Sequence, residues 1–73
     1  MTDEAMMQHA LALADQAAEI DEVPIGAAVF LDGEVVGEGF NHKESTNDPT
    51  AHAEMIAIKN AAKNLNRWRL HDC

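Results

Sequence analysis

The stretch Asp48-Pro49-Thr50-Ala51-His52-Ala53-Glu54 joins a helix start to two residue types that do chemistry. The Asp48 carboxylate can accept from free N–H groups of a first helical turn, and Pro49 fits the first helical position, where a missing N–H costs nothing. A helix is therefore predicted from about Pro49 to Asn64, with Met55, Ile56, Ile58, Ala61 and Ala62 on its buried side and Asn64 ending it. His52 and Glu54 fall in its first turns, two residues apart, which points them to nearly opposite sides of a long helix. They can converge on one object only off the N-terminal end, so a site at the helix tip is expected.

Working outward, residues 3–20 read as an amphipathic helix. Thr2 is a plausible cap, Asp3 and Glu4 suit the positive end of the helix dipole, and alanine is abundant. Met6, Ala10, Leu13, Ala17 and Ile20 recur at threes and fours, and Met7, Leu11, Ala14 and Ala18 widen the stripe, so one broad face is expected to be buried. Pro24 closes that helix. The run Ile25 to Leu31 is apolar on both alternating faces, as in a strand covered on both sides. Asp32-Gly33 is a two-residue hairpin signal, and residues 34–40 return as an edge strand whose glutamates guard the edge and whose Gly37 and Gly39 allow a bulge or a close backbone approach. Polar residues 41–47 form a loop. The order helix, strand, strand, helix defines an α/β chain.

Length and charge set limits. With 73 residues there is one small core, worth roughly 3–5 kcal/mol without help from metal or partner chains. An apolar share of 47% excludes a disordered chain, and no apolar run approaches the roughly 18 residues of a membrane span. The acidic start and the single cysteine, Cys73, point to a cytoplasmic protein without an internal disulfide. Net charge is −8, and residues 1–38 carry nine acids and no Lys or Arg. Lys43, Lys59, Lys63, Arg67 and Arg69 are the only cations able to meet phosphates, which makes this chain alone a poor nonspecific nucleic-acid binder.

His-x-Glu is the first half of a zinc deaminase signature whose second half is Pro-Cys-x-x-Cys. Taken with Glu22-Val23-Pro24-Ile25-Gly26-Ala27, Asn41 and Trp68-Arg69-Leu70, the stretch Asp48 to Glu54 resembles the N-terminal half of the bacterial tRNA adenosine deaminases, within the cytidine/deoxycytidylate deaminase-like zinc family. The resemblance spans nearly the whole chain. It implies the helix-strand-strand-helix part of a three-layer α/β/α fold and hydrolytic conversion of adenosine to inosine in the tRNA anticodon loop. It also implies one Zn2+ per complete site. By the same resemblance His52 is a zinc ligand, Glu54 moves the proton, and Asn41, Ile25, Gly26 and Ala27 line the base pocket, with Ile25 standing where guanine deaminases commonly carry Phe. Residues 1–73 are then a partial domain without the thiolate pair. Cys73 lacks the preceding Pro and is not assigned as a ligand; His9, His42 and His71 are assigned no role.

Read without the resemblance, His52 is a cap or loop histidine, Glu54 a solvated helix residue, Asn41 a turn asparagine, and residues 25–27 plain strand. Two other functions compete: a cytosine, guanine or nucleoside deaminase of the same fold, and a noncatalytic acidic α/β module. In either case the apolar first strand, with no third strand to pair with, is expected to promote a homodimer or other self-association.

Overall fold

The computed structural model of the protein describes residues 2–42 and 52–73. Helix α1 spans Asp3–Glu19, and the Thr2 hydroxyl accepts from the Ala5 N–H at 3.1 Å. It ends through a left-handed Asp21 at φ 59°, which lets the Asp21 N–H reach the Ala18 carbonyl and the Glu22 N–H reach the Ala17 carbonyl. Burial is narrower than the sequence predicts. Leu13 and Ala17 are buried, and Met6, Ala10 and Ala14 half-buried, whereas Met7, Leu11, Ala18 and Ile20 are exposed. The cause is the width of the support: among the described residues α1 lies on two strands, too few to cover a broad stripe.

Strand β1, Gly26–Leu31, pairs antiparallel with β2, Glu34–Phe40. Asp32 and Gly33 both take positive φ, 50° and 82°, the two-residue turn whose twist matches a hairpin. Ile25, expected within β1, lies just before it; its carbonyl still accepts from the Asn41 N–H at 3.1 Å. Register slips at Val29/Phe30, so that Val36 is an extra residue opposite Gly37 and Val35 partners: a bulge beside a glycine.

Helix α2 spans Ala53–Leu65. It begins at Ala53 and not at Pro49, with His52 in extended conformation as its cap residue; the Asp48-Pro49 signal lies outside the described residues. It also runs past Asn64 to a left-handed Asn66 at φ 54°, where the Asn66 and Arg67 N–H groups close onto Lys63 and Ala62. Among the buried positions expected on α2 only Ala61 is buried, together with Ala53 and Ala57, while Met55 and Ile58 are exposed.

These three alanines, at intervals of four, form a smooth seam facing β2. Opposite them stand Gly37 and Gly39. A Cβ on Gly37 would press on the Ala57 carbonyl and come within 2.6 Å of the Ala61 nitrogen, and one on Gly39 would come within 2.7 Å of Ile56. On the other face, a Cβ on Gly26 would collide with the Ala10 carbonyl and Leu13 of α1. The sheet is thus sandwiched, α1 over Gly26, Ala28 and Phe30, and α2 over Ala27, Val29, Gly37 and Gly39. Three layers result.

The sheet edges differ. Along β2, the side-chain amides of Asn60 and Asn64 donate to the Glu38 and Val36 carbonyls at 2.9 and 2.7 Å. Along β1 there is no such cover among the described residues, and every β1 residue is only half-buried although both faces are packed. A groove of about 650 Å³ runs there, lined by Met6, Phe30, Ile58, Trp68, Leu70 and Cys73 among others. The connector that lines it is tied by Arg67 to Asp72 at 2.7 Å, and this hydrogen bond holds the Asp72 carboxyl below the usual carboxylate range.

The glycine seam gives a direct test. Gly37→Ala is expected to lower unfolding free energy by about 2 kcal/mol, because the neighbours in the way are backbone atoms that cannot turn aside. Met7→Ala, at an exposed position, is expected to stay within about 0.5 kcal/mol of wild type. Urea titration followed by circular dichroism separates the two.

Candidate active site

The tip of α2 is built by residues from three segments. His52 supplies the extended cap position at φ −81°, ψ 144°, and its side chain makes no cap hydrogen bond. Glu54 is the acidic residue of the first turn, exposed, at the positive end of the helix. Asn41, at the end of β2, is 3% exposed, and its Oδ1 accepts from the Ala53 N–H at 2.7 Å. The atom facing a backbone N–H must be an acceptor, so the orientation of this amide is fixed. Of the donor and acceptor that Asn41 offers, the acceptor is engaged by the helix.

The other expected pocket residues divide between the two faces. Ala27 shares the α2 face with Gly39, whose surroundings include the Ala53 carbonyl. Gly26 faces α1, and its lack of a side chain has a packing reason there. Ile25 is 45% exposed and joins the site through its backbone, as acceptor to the Asn41 N–H. The structure therefore gathers His52, Ala53, Glu54, Asn41 and the Ile25 backbone at one end of the sheet. The β1 groove contains none of these side chains and belongs to the sheet edge.

A catalytic zinc takes about three protein ligands and a water. Among the described residues no three His, Cys, Asp or Glu side chains converge closely enough to hold a metal. Cys73 is exposed and lines the β1 groove. His52 alone does not fit a catalytic zinc.

Some contacts escaped the sequence reading. His9 bridges α1 to β2, its Nε2 2.6 Å from Glu38 Oε2 and its ring edge-on to Phe30, so Glu38 is a strap as well as an edge guard. Alternation gave no hint of this pair, which lies 29 residues apart. The asparagines of α2 carried a signal that went unread: Asn60 and Asn64 are four apart and share one side of a helix.

This architecture is shared with known proteins. The family profile described as the cytidine and deoxycytidylate deaminase zinc-binding region matches residues 1–73. The chain belongs to that family. The tRNA-specific adenosine deaminase of Haemophilus influenzae is 49% identical over 69 residues, which are 93% of this chain and 40% of that protein. A solved structure from work on A-to-I editing by tRNA:A34 deaminases at the wobble position of transfer RNA superposes with a TM-score of 0.88 at 43% identity, covering 94% of this chain and 53% of the other. Guanine deaminase from Bacillus subtilis superposes with a TM-score of 0.93 at 39% identity, over 100% of this chain and 47% of the other. The fold is common to the two solved structures, and the chain spans about half the length of each of these three proteins.

The position of His52 has a testable energetic consequence. Asp at the cap position would accept from a first-turn N–H, which the imidazole does not. His52→Asp is expected to raise stability by about 1 kcal/mol, measured as an upward shift of the urea midpoint. An unchanged or lower midpoint would mean that the Asn41 acceptor already meets the need of this helix end.

Proposed function

We propose that this chain is the N-terminal part of a hydrolytic deaminase that converts adenosine to inosine at the wobble position of the tRNA anticodon loop. The observation that carries the reading is the His52-Ala53-Glu54 tip, gathered with Asn41 and Ile25 in a chain whose relatives include tRNA-specific adenosine deaminases. Adenosine and water give inosine and ammonia. Glu54 is the proton carrier, taking a proton from the attacking water and delivering it to the departing nitrogen, which suits an exposed carboxylate off the helix end. His52 is this chain's contribution to a zinc site whose two thiolates, by the family signature, come from a Pro-Cys-x-x-Cys segment outside these residues. Asn41, Ala27 and the segment Ile25-Gly26 form one wall of the base pocket.

The tRNA contact draws little on the described residues, because Lys59, Lys63, Arg67 and Arg69 lie toward the far end of α2 and the connector beyond it. Basic elements of the completed protein supply the rest. Its place is the cytoplasm; no helix among the described residues is long and apolar enough to cross a membrane. Guanine deamination is the second reading, favoured by the B. subtilis superposition and opposed by Ile25.

In a chain completed with the remainder of a relative, Glu54→Gln is expected to abolish turnover of an anticodon stem-loop while zinc stays bound, and His52→Ala to lose both. Mass-spectrometric scoring of inosine, metal analysis and a parallel assay with guanine separate the readings. Turnover in Glu54→Gln equal to wild type would remove Glu54 from proton transfer, and activity on guanine alone would replace the substrate.

The 73-residue chain by itself is expected to self-associate through the uncovered β1 edge and to hold no zinc tightly after dialysis. Sedimentation across a concentration series tests the first, and a strictly monomeric folded chain would contradict it. One zinc per chain, lost in His52→Ala, would contradict the second.

A further inference from the structure

We infer that Asn41 is a positioning residue for the His52/Glu54 pair, acting through the first peptide of α2. The inference rests on the proposed reading for what the pair does, and on geometry alone for how it is held. A helix start leaves its first N–H groups without partners, and the usual remedy is a Ser, Thr, Asp or Asn at the cap position itself. Here that position is taken by His52, whose side chain makes no cap bond. The missing acceptor is brought in from 12 residues away, as Asn41 Oδ1 meets the Ala53 N–H at 2.7 Å.

Each atom of this link is itself constrained. Asn41 is 3% exposed, and its own N–H donates to the Ile25 carbonyl at 3.1 Å, so its main chain continues the ladder of the sheet. Ala53 is fully buried, with its carbonyl facing Gly39 of β2, two residues before Asn41. The first residue of α2 is thus held at its N–H by a side chain and at its carbonyl side by close packing, both from the end of β2. His52 and Glu54 are its immediate neighbours. Fixing the peptide that joins His52 to Ala53 fixes the directions in which the flanking Cα–Cβ bonds leave the backbone, and one of the first N–H groups of α2 is satisfied without the His52 ring. A residue able to cap locally would use its side chain on the helix; histidine capped from a distance keeps its ring for another partner.

The test uses the isotope-labelled 73-residue chain and needs no turnover. In the wild type, a scalar coupling across the hydrogen bond is expected between the Ala53 nitrogen and the Asn41 side-chain carbonyl carbon. Asn41→Asp keeps the accepting oxygen and Asn41→Ala removes it. Ala53 N–H exchange is expected to quicken about tenfold in Asn41→Ala relative to the Ala61 N–H, the His52 Hα–Hβ couplings are expected to average over rotamers, and Asn41→Asp should restore both. Unchanged exchange in Asn41→Ala would overturn the cap. Wild-type His52 couplings despite faster exchange would reduce Asn41 to a purely structural role and overturn the positioning. Should Asn41→Ala fail to fold, the comparison of wild type with Asn41→Asp decides: the trans-bond coupling present in both supports the inference, and its absence from the folded wild type overturns it. A completed enzyme inactive on adenosine would refute the proposed function and leave these readouts as they are.

Discussion

The distance between α2 and β2 is the constraint from which the other features follow. It is set by an absence of side chains: Gly37 and Gly39 on the strand, and nothing larger than a methyl at Ala53, Ala57 and Ala61 on the helix. No large side chain among the described residues is fully buried, so this core gains its cohesion from close backbone contact and less from bulky apolar groups. With the helix this near, the short side chains of Asn60 and Asn64 reach the strand carbonyls, and Asn41 reaches the helix N-terminus. One added methyl at Gly37 would lift the helix and lengthen all three bonds together.

What could be read from the sequence was what is decided locally. Thr2 bonds three residues ahead, and Asp32-Gly33 turns within two residues, so both announced themselves. The placement of His52 and Glu54 at a helix tip was legible as well, because two residues so spaced converge only off a helix end. The start of α2 was misplaced because its acceptor, Asn41, is remote in sequence, and no pattern near Pro49 reports that. At the other end two asparagines stood two apart, and only the backbone reveals that Asn66 takes the left-handed turn while Asn64 bonds to Val36. Met7 and Leu11 are exposed for another reason: periodicity tells which face of a helix is apolar but not how wide its support will be.

The tip and the metal set stand at different stages of completion. As a geometric unit the tip is finished, with its helix capped and its neighbouring strands in register. As a ligand set it is not: among the described residues no three His, Cys, Asp or Glu side chains converge where a catalytic zinc takes about three donors. The family profile matches residues 1–73, and the chain covers 40% of the H. influenzae deaminase and 53% and 47% of the two solved structures.

The unequal edges of the sheet carry a rule of stoichiometry. Strands add to a sheet wherever main-chain groups are free, and a sheet open on both sides can add them without limit, which is how fibrils grow. Here Asn60 and Asn64 occupy carbonyls on one side, leaving β1 as the side on which addition is favoured. Two such sheets joined β1 to β1 would present only their guarded sides outward. Were strands to add by that route, growth would terminate at the pair, and the two asparagine amides that occupy the β2 carbonyls would be what sets the limit.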